Sequence, residues 1–122
     1  MVADEAQDAN DSYLNRRPMY SLDRFKADRD IAHYLHRDTH PDLLKNECRL
    51  TRRQFISLAQ WLDENTELTG SKYANLNTKL CIFLHLCGHR GSFRDTANRY
   101  WVPYSQIHKY FYEVLAALLL LA

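Results

Sequence analysis

A chain of 122 residues is one domain's worth, and its 46% hydrophobic and 12% aromatic content excludes a wholly disordered polymer. Three glycines and three prolines are few, and apolar residues recur mostly at helical spacing, so the composition favours an all-α fold. The formal net charge of +1 hides an asymmetry: Asp4, Glu5, Asp8 and Asp11 precede any basic residue, leaving sixteen basic against eleven acidic groups in residues 13–122, a mild bias towards polyanions.

Residues 1–15 are polar, acidic and without periodicity, and read as a disordered leader before a single helical domain over 16–122. From Ser21 to about Arg37 the contacts Leu22, Phe25, Ile31, Tyr34 and Leu35 predict a helix with an imperfect stripe. His40 and Pro41 interrupt it, and Asp42 is positioned to cap a short turn carrying Leu43 and Leu44. Thr51 and Gln54 then form a capping box, with Leu50 and Phe55 at the positions of a hydrophobic staple. That helix continues its face through Leu58, Ala59 and Leu62 and should end near Glu64 or Asn65. Residues 66–76, with Gly70, Ser71 and Asn75, read as a loop. The next helix, from Asn77 or Thr78 to Cys87, carries Leu80, Phe83, Leu84 and Cys87 on one side and Ile82 and Leu86 on the other, and a helix apolar nearly all round is a central one. Gly88 is its expected stop, and Gly91 frees the backbone before the next cap.

Ser92 to Leu115 reads as a helix-turn-helix. Ser92 is the expected N-cap, with Asp95 three residues on, and Phe93, Ala97 and Tyr100 share one face of a short first helix. Pro103 suits the first position of a second helix, whose inward stripe is Ile107, Tyr110, Phe111, Val114, Leu115 and Leu118. Tyr104, Ser105, Gln106, His108, Lys109 and Tyr112 are left facing outward. The small Ala97 and the β-branched Ile107 allow the two helices to cross closely around a short turn. Trp101 stands where such turns usually carry glycine, so either the turn takes another shape or the indole packs to compensate.

The chemistry of the chain points to binding. Of the carboxylates after residue 42, Glu47, Asp63, Glu64, Glu67, Asp95 and Glu113, none is paired in the sequence with a polar constellation of the kind that acid/base or two-metal catalysis requires. His33, His36 and His40, and Cys81, Cys87 and His89, lack the tight paired spacing of structural zinc sites; buried cysteines and surface histidines are the simpler reading, so no metal or other cofactor is expected. Arg90, Arg94, Arg99 and Lys109 gather within or beside the helix-turn-helix against the single acid Asp95. In that geometry the first helix lies across the phosphate backbone and the second enters the major groove of double-stranded DNA, where Gln106 would pair with adenine and Lys109 with guanine or phosphate. An odd count of three cysteines and no apolar segment after the start Met imply a reduced, intracellular chain. The nine apolar residues from Val114 fall short of the about twenty that cross a bilayer.

The run HPDLLKNECRLTRRQFISLAQWLDENTEL, the segment NTKLCIFLHLCGHRGSFRDTANRYWV and the helix IHKYFYEVLAAL, about two-thirds of the chain from His40 to Leu118, resemble the N-terminal helical domain of PIF/Harbinger-type transposases and their domesticated nuclease relatives. KLCIFLHLCGHRGSFRDTANRY is the most specific part: it looks like that family's apolar helix, glycine-containing break and Ser-Phe-Arg entry to the helix-turn-helix. The resemblance implies a nuclear DNA-binding domain that, in the family, precedes an RNase H-like nuclease with three metal-binding carboxylates. Trp101 and Pro103 depart from the small and polar residues usual in the family's turn, and the nuclease portion has no counterpart here, so no cleavage activity is carried over. The expected molecule is a small helical bundle with a C-terminal helix-turn-helix that binds duplex DNA and is not itself an enzyme. The alternative is a protein-interaction or dimerisation module that uses the apolar Leu115 to Leu121 helix for self-association or to meet a nuclease domain.

Overall fold

The structure, a computed structural model, describes residues 25–89 and 91–121. Among the described residues six helices follow one another: α1 (Lys26–Leu35), α2 (Pro41–Cys48), α3 (Arg52–Asn65), α4 (Leu76–His89), α5 (Phe93–Tyr100) and α6 (Tyr104–Leu118), followed by a 3₁₀ turn at Leu119–Leu121. No β-strand occurs among the described residues, and the molecule is a small all-α bundle. The acidic leader, Ser21, Leu22 and Arg90 lie outside the described residues.

Helix α4 is the axis. It packs against all five of the others, which is what a segment apolar on nearly every side requires. Its residues Leu80, Cys81 and Ile82 are wholly buried, with Phe83 and Leu86 nearly so. Around them gather Ile31 of α1, Leu44 and Cys48 of α2, Phe55 and Leu62 of α3, Ala97 and Tyr100 of α5, and Ile107, Tyr110 and Val114 of α6. Burying each large apolar side chain contributes about 1.5–3 kcal/mol relative to exposure.

Local signals explain most boundaries. At Thr51 both halves of the capping box form: the Thr51 hydroxyl accepts from Gln54 N, and Gln54 Oε1 accepts from Thr51 N. Phe55 is buried and Leu50 partly so, as a staple requires. Several expectations shift. Residue His40, not Asp42, caps α2, its Nδ1 accepting from Asp42 N at 3.2 Å with Pro41 in the first turn; an imidazole nitrogen reaches the same donor that a carboxylate would. Helix α4 begins at Leu76, where the Asn75 side chain accepts from Thr78 N, and it runs through Gly88 to His89 rather than stopping at the glycine. A Cβ at Gly88 would stand 2.9 Å from Arg49 Cγ, so the glycine leaves room for the Arg49 side chain against α4 and does not make a turn. Gly91 does not adopt positive φ. Cys87, expected on the buried side, is exposed because α4 has passed the core by its last turn.

Asp28 ties the first helix to the fourth by accepting from Asn75 N at 2.9 Å and from Thr78 Oγ1 at 2.6 Å. Arg52 Nε donates to Leu35 O, satisfying a carbonyl at the end of α1. None of the described helices is long and apolar enough to cross a membrane.

Candidate nucleic-acid interface

Helix α5 starts as expected at Ser92, whose hydroxyl accepts from Asp95 N at 3.0 Å; only this half of the capping box forms. The three residues 101–103 separate it from α6. Trp101 takes the left-handed conformation at φ 57° and ψ 40°, where a glycine would be unstrained. Three things hold it there. Its N–H and that of Val102 both reach Ala97 O, closing the helix end; Val102 is fully buried over the equally buried Ala97; and the Lys26 ammonium lies 5.7 Å from the indole centroid. The turn therefore keeps the backbone shape usual for glycine and compensates the strain by packing. Pro103 occupies the cap position, one residue before the first helical position expected for it.

Ala97 and Ile107 are both buried in one core, at 3% and 0% exposure, and α5 packs on α6. On the other side of α6, Tyr104, Ser105, Lys109 and Tyr112 are exposed, as expected. Gln106 and His108 are not fully outward; both are half-buried. His108 is drawn in because its ring stacks 4.1 Å from Phe93 and meets Tyr104 edge-on at 4.9 Å. The Arg94 guanidinium lies 4.5 Å over the Tyr104 ring, so the first helix presents a cation beside the second helix's outer face.

Arg99 departs most from expectation. Its guanidinium grips the Glu47 carboxylate in a two-pronged pair, Nε to Oε2 at 2.9 Å and Nη2 to Oε1, so it braces α5 against α2. Glu47 is only 4% exposed and also accepts from Tyr100 Oη, while His85 Nδ1 stands 3.3 Å from its Oε2. A polar constellation around a carboxylate thus does exist, contrary to the expectation from spacing. Helix-period reasoning missed it because its members come from α2, α4 and α5, up to 53 residues apart. The one available signal was a glutamate on the apolar side of a short helix beside Leu44 and Cys48.

Burial alone would raise the Glu47 carboxyl, but the hydrogen bonds from Arg99 and Tyr100 outweigh it and hold the group below the ordinary glutamate range. Burial, with the Cys81 and Glu47 neighbours, pushes the Tyr100 phenol far up, so it remains a donor. Burial lowers His85. Its Nδ1 and the Nε2 of His89 point at the Glu47 and Asn46 carbonyls of the α2 end, an arrangement that satisfies orphan helix carbonyls when those nitrogens carry the proton. Every group is paired within the protein. The site is a brace, and the recess beside it is small and polar, lined by Lys26, Asp30, Tyr34 and Arg99 with Glu47 and Tyr100.

No group of three or more histidine, cysteine or carboxylate side chains is arranged to hold a metal ion among the described residues. A half-buried ion pair, Lys79 Nζ to Glu113 Oε1 at 2.8 Å, ties α4 to α6, with Thr69 O accepting a further bond from the buried ammonium. It leaves the outer face of α6 untouched.

A family model described as a domain of unknown function, DUF8040, matches residues 29–120, which spans all six helices apart from the first turn of α1. The chain belongs to the DUF8040 family. No curated protein and no solved structure matches it. In this DUF8040 chain the matched segment contains both the Glu47 brace and the whole Ser92 to Leu115 unit.

Proposed function

We propose that this DUF8040 chain is a DNA-binding helix-turn-helix domain of the Harbinger-like transposase kind, acting in the nucleus and without nuclease activity of its own. One observation carries the reading: the outer face of α6 from Tyr104 to Tyr112 is left uncovered at Tyr104, Ser105, Lys109 and Tyr112, while the inner face of the same helix is anchored by Ile107, Tyr110 and Val114. A rigid helix with a free polar and aromatic face, three residues after a short helix bearing Arg94, has the parts that groove insertion with backbone contact requires. Arg94 and Lys109 are the phosphate contacts, with Ser105 and the accessible part of Gln106 left for base edges.

The test is anisotropy of a labelled mixed-sequence duplex at low salt. Changing Arg94 and Lys109 together to Ala should weaken binding and reduce the slope of log K against log salt by about 2, since each lost phosphate contact removes about 0.9. Unchanged affinity and slope would remove the proposal.

A second reading, a self-association module, draws on Leu119, Leu120 and Leu121, which are 65%, 65% and 53% exposed. Sedimentation of the chain beside a variant with all three changed to Ser separates the two readings. Concentration-dependent association that the serines abolish, without duplex affinity, would favour the second.

A further inference from the structure

Tyr104, His108 and Tyr112 recur every four residues, so they form one stripe along the outer side of α6. The outer two rings serve no core: Tyr104 is 41% exposed and Tyr112 56% exposed. They are nevertheless held in place. Tyr104 is clamped between the Arg94 guanidinium and the edge of His108, His108 rests on Phe93, and Tyr112 meets Phe111 edge-on at 5.1 Å. A fixed ring loses little freedom on binding, which suits it to recognition more than to solubility. Of the two carboxylates on α5 and α6, Glu113 is tied to Lys79 and Asp95 lies in the first turn of α5, whereas the cation seen against the stripe is Arg94, and α6 carries the exposed Lys109.

We infer that the Tyr104–His108–Tyr112 stripe reads the C5-methyl groups of thymine in the major groove, so that the chain prefers duplexes carrying thymines three to four base pairs apart. The inference rests on the duplex-binding reading above. The bases offer one apolar group in the major groove, the thymine methyl, and it is the partner that repays the dehydration of an aromatic ring in a setting otherwise made of donors and acceptors. Tyr104 and Tyr112 stand eight residues apart, about 12 Å along the axis at 1.5 Å per residue. That is between three and four base-pair steps of about 3.4 Å. Arg94, stacked on Tyr104, then lies beside the groove edge where phosphates run.

The experiment compares anisotropy titrations of the full chain on an A/T-rich duplex and on the same duplex with deoxyuridine replacing thymidine, which removes the methyls and keeps every hydrogen-bonding edge. Binding should be roughly fourfold tighter per methyl contacted, about fifteenfold for two, the value of burying one methylene-sized group at each. Tyr104→Ala with Tyr112→Ala should bind both duplexes equally at low salt, and Tyr104→Phe with Tyr112→Phe should keep the preference, since the ring and not the hydroxyl is used. Both side chains are exposed, and circular dichroism should show the fold intact. Duplex binding that ignores the methyls, or a preference that survives the double Ala change, would overturn this inference and leave the duplex reading standing. Absence of any duplex binding would overturn both. Sedimentation that rises with concentration and is abolished by the double Ala change, without duplex binding, would give the stripe to a second copy of the chain.

Discussion

Glu47 is the residue on which the buried polar brace is built. Its carboxylate is buried among Arg99, Tyr100 and His85, and it meets the proposed DNA-contacting unit directly, because Arg99 and Tyr100 end the first helix of that unit. Changing Arg99 to Met strands that charge. The cost should be about 2 kcal/mol, below the 3–5 typical for a fully buried pair because the Arg99 side chain is 53% exposed. Equilibrium urea unfolding measures it, and a loss below about 0.5 kcal/mol would show the pair to be ornamental. The pH dependence has a definite sign. The folded-state value of Glu47 is depressed, so its contribution is present above the ordinary glutamate value of 4.5 and lost as pH falls through the lower folded value. His85 is also depressed, so the unfolded chain takes up its proton first as pH drops below 6.5, and stability falls in that window too. Glu47→Gln should flatten the limb below pH 4.5 and leave the part between 4.5 and 6.5 largely in place, which midpoints across pH 3 to 8 would reveal.

At the scale of elements, the helix ends carry unequal burdens. α3 has a complete capping box and fourteen residues, whereas α5 has eight residues and one Ser92 bond. A helix of two turns does not persist by itself, so α5 depends on its cap, on the Arg99 pair and on the Trp101 closure. Ser92→Ala should cost about 1 kcal/mol. More tellingly, native-state hydrogen exchange should speed up at the amides of Asp95 and its neighbours without comparable change in α3, because the first turn of α5 opens locally. Uniform acceleration across all helices would mean that α5 has no independent opening. The capping boundaries at Thr51 and Ser92 were readable from residue types alone because both signals are local. The cap at His40 is just as local, with its donor at Asp42, but an imidazole in that role is not among the usual cap residues; the passage of α4 through Gly88 and the half-burial of His108 were not readable, since each depends on a neighbour distant in the chain: Arg49 beside Gly88, Phe93 beside His108.

At the scale of the molecule, α4 runs through the middle of everything and the three cysteines report on its packing. Cys48 and Cys81 are buried and Cys87 is exposed. In native protein a thiol reagent should label one site, Cys87, slowly at neutral pH because partial burial pushes its thiol up; after unfolding all three should react. Early labelling of Cys48 or Cys81 would show that the core opens sub-globally. What the residues alone determined is the all-α class, the capped starts at Thr51 and Ser92, the central place of the Leu80 to Leu86 segment and the outward placing of Tyr104, Ser105, Lys109 and Tyr112 on α6, because periodicity and capping act within a few residues of one another. Tertiary structure alone decided that Arg99 is taken by Glu47, that Trp101 is tolerated at positive φ, and that Arg94 and Phe93 order the aromatic stripe. Those outcomes depend on which side chains meet across the chain, from Arg94 with Tyr104 to Glu47 with Arg99 and Tyr100 and Lys26 with Trp101, and charge pairing and ring packing at that range follow from the assembled bundle.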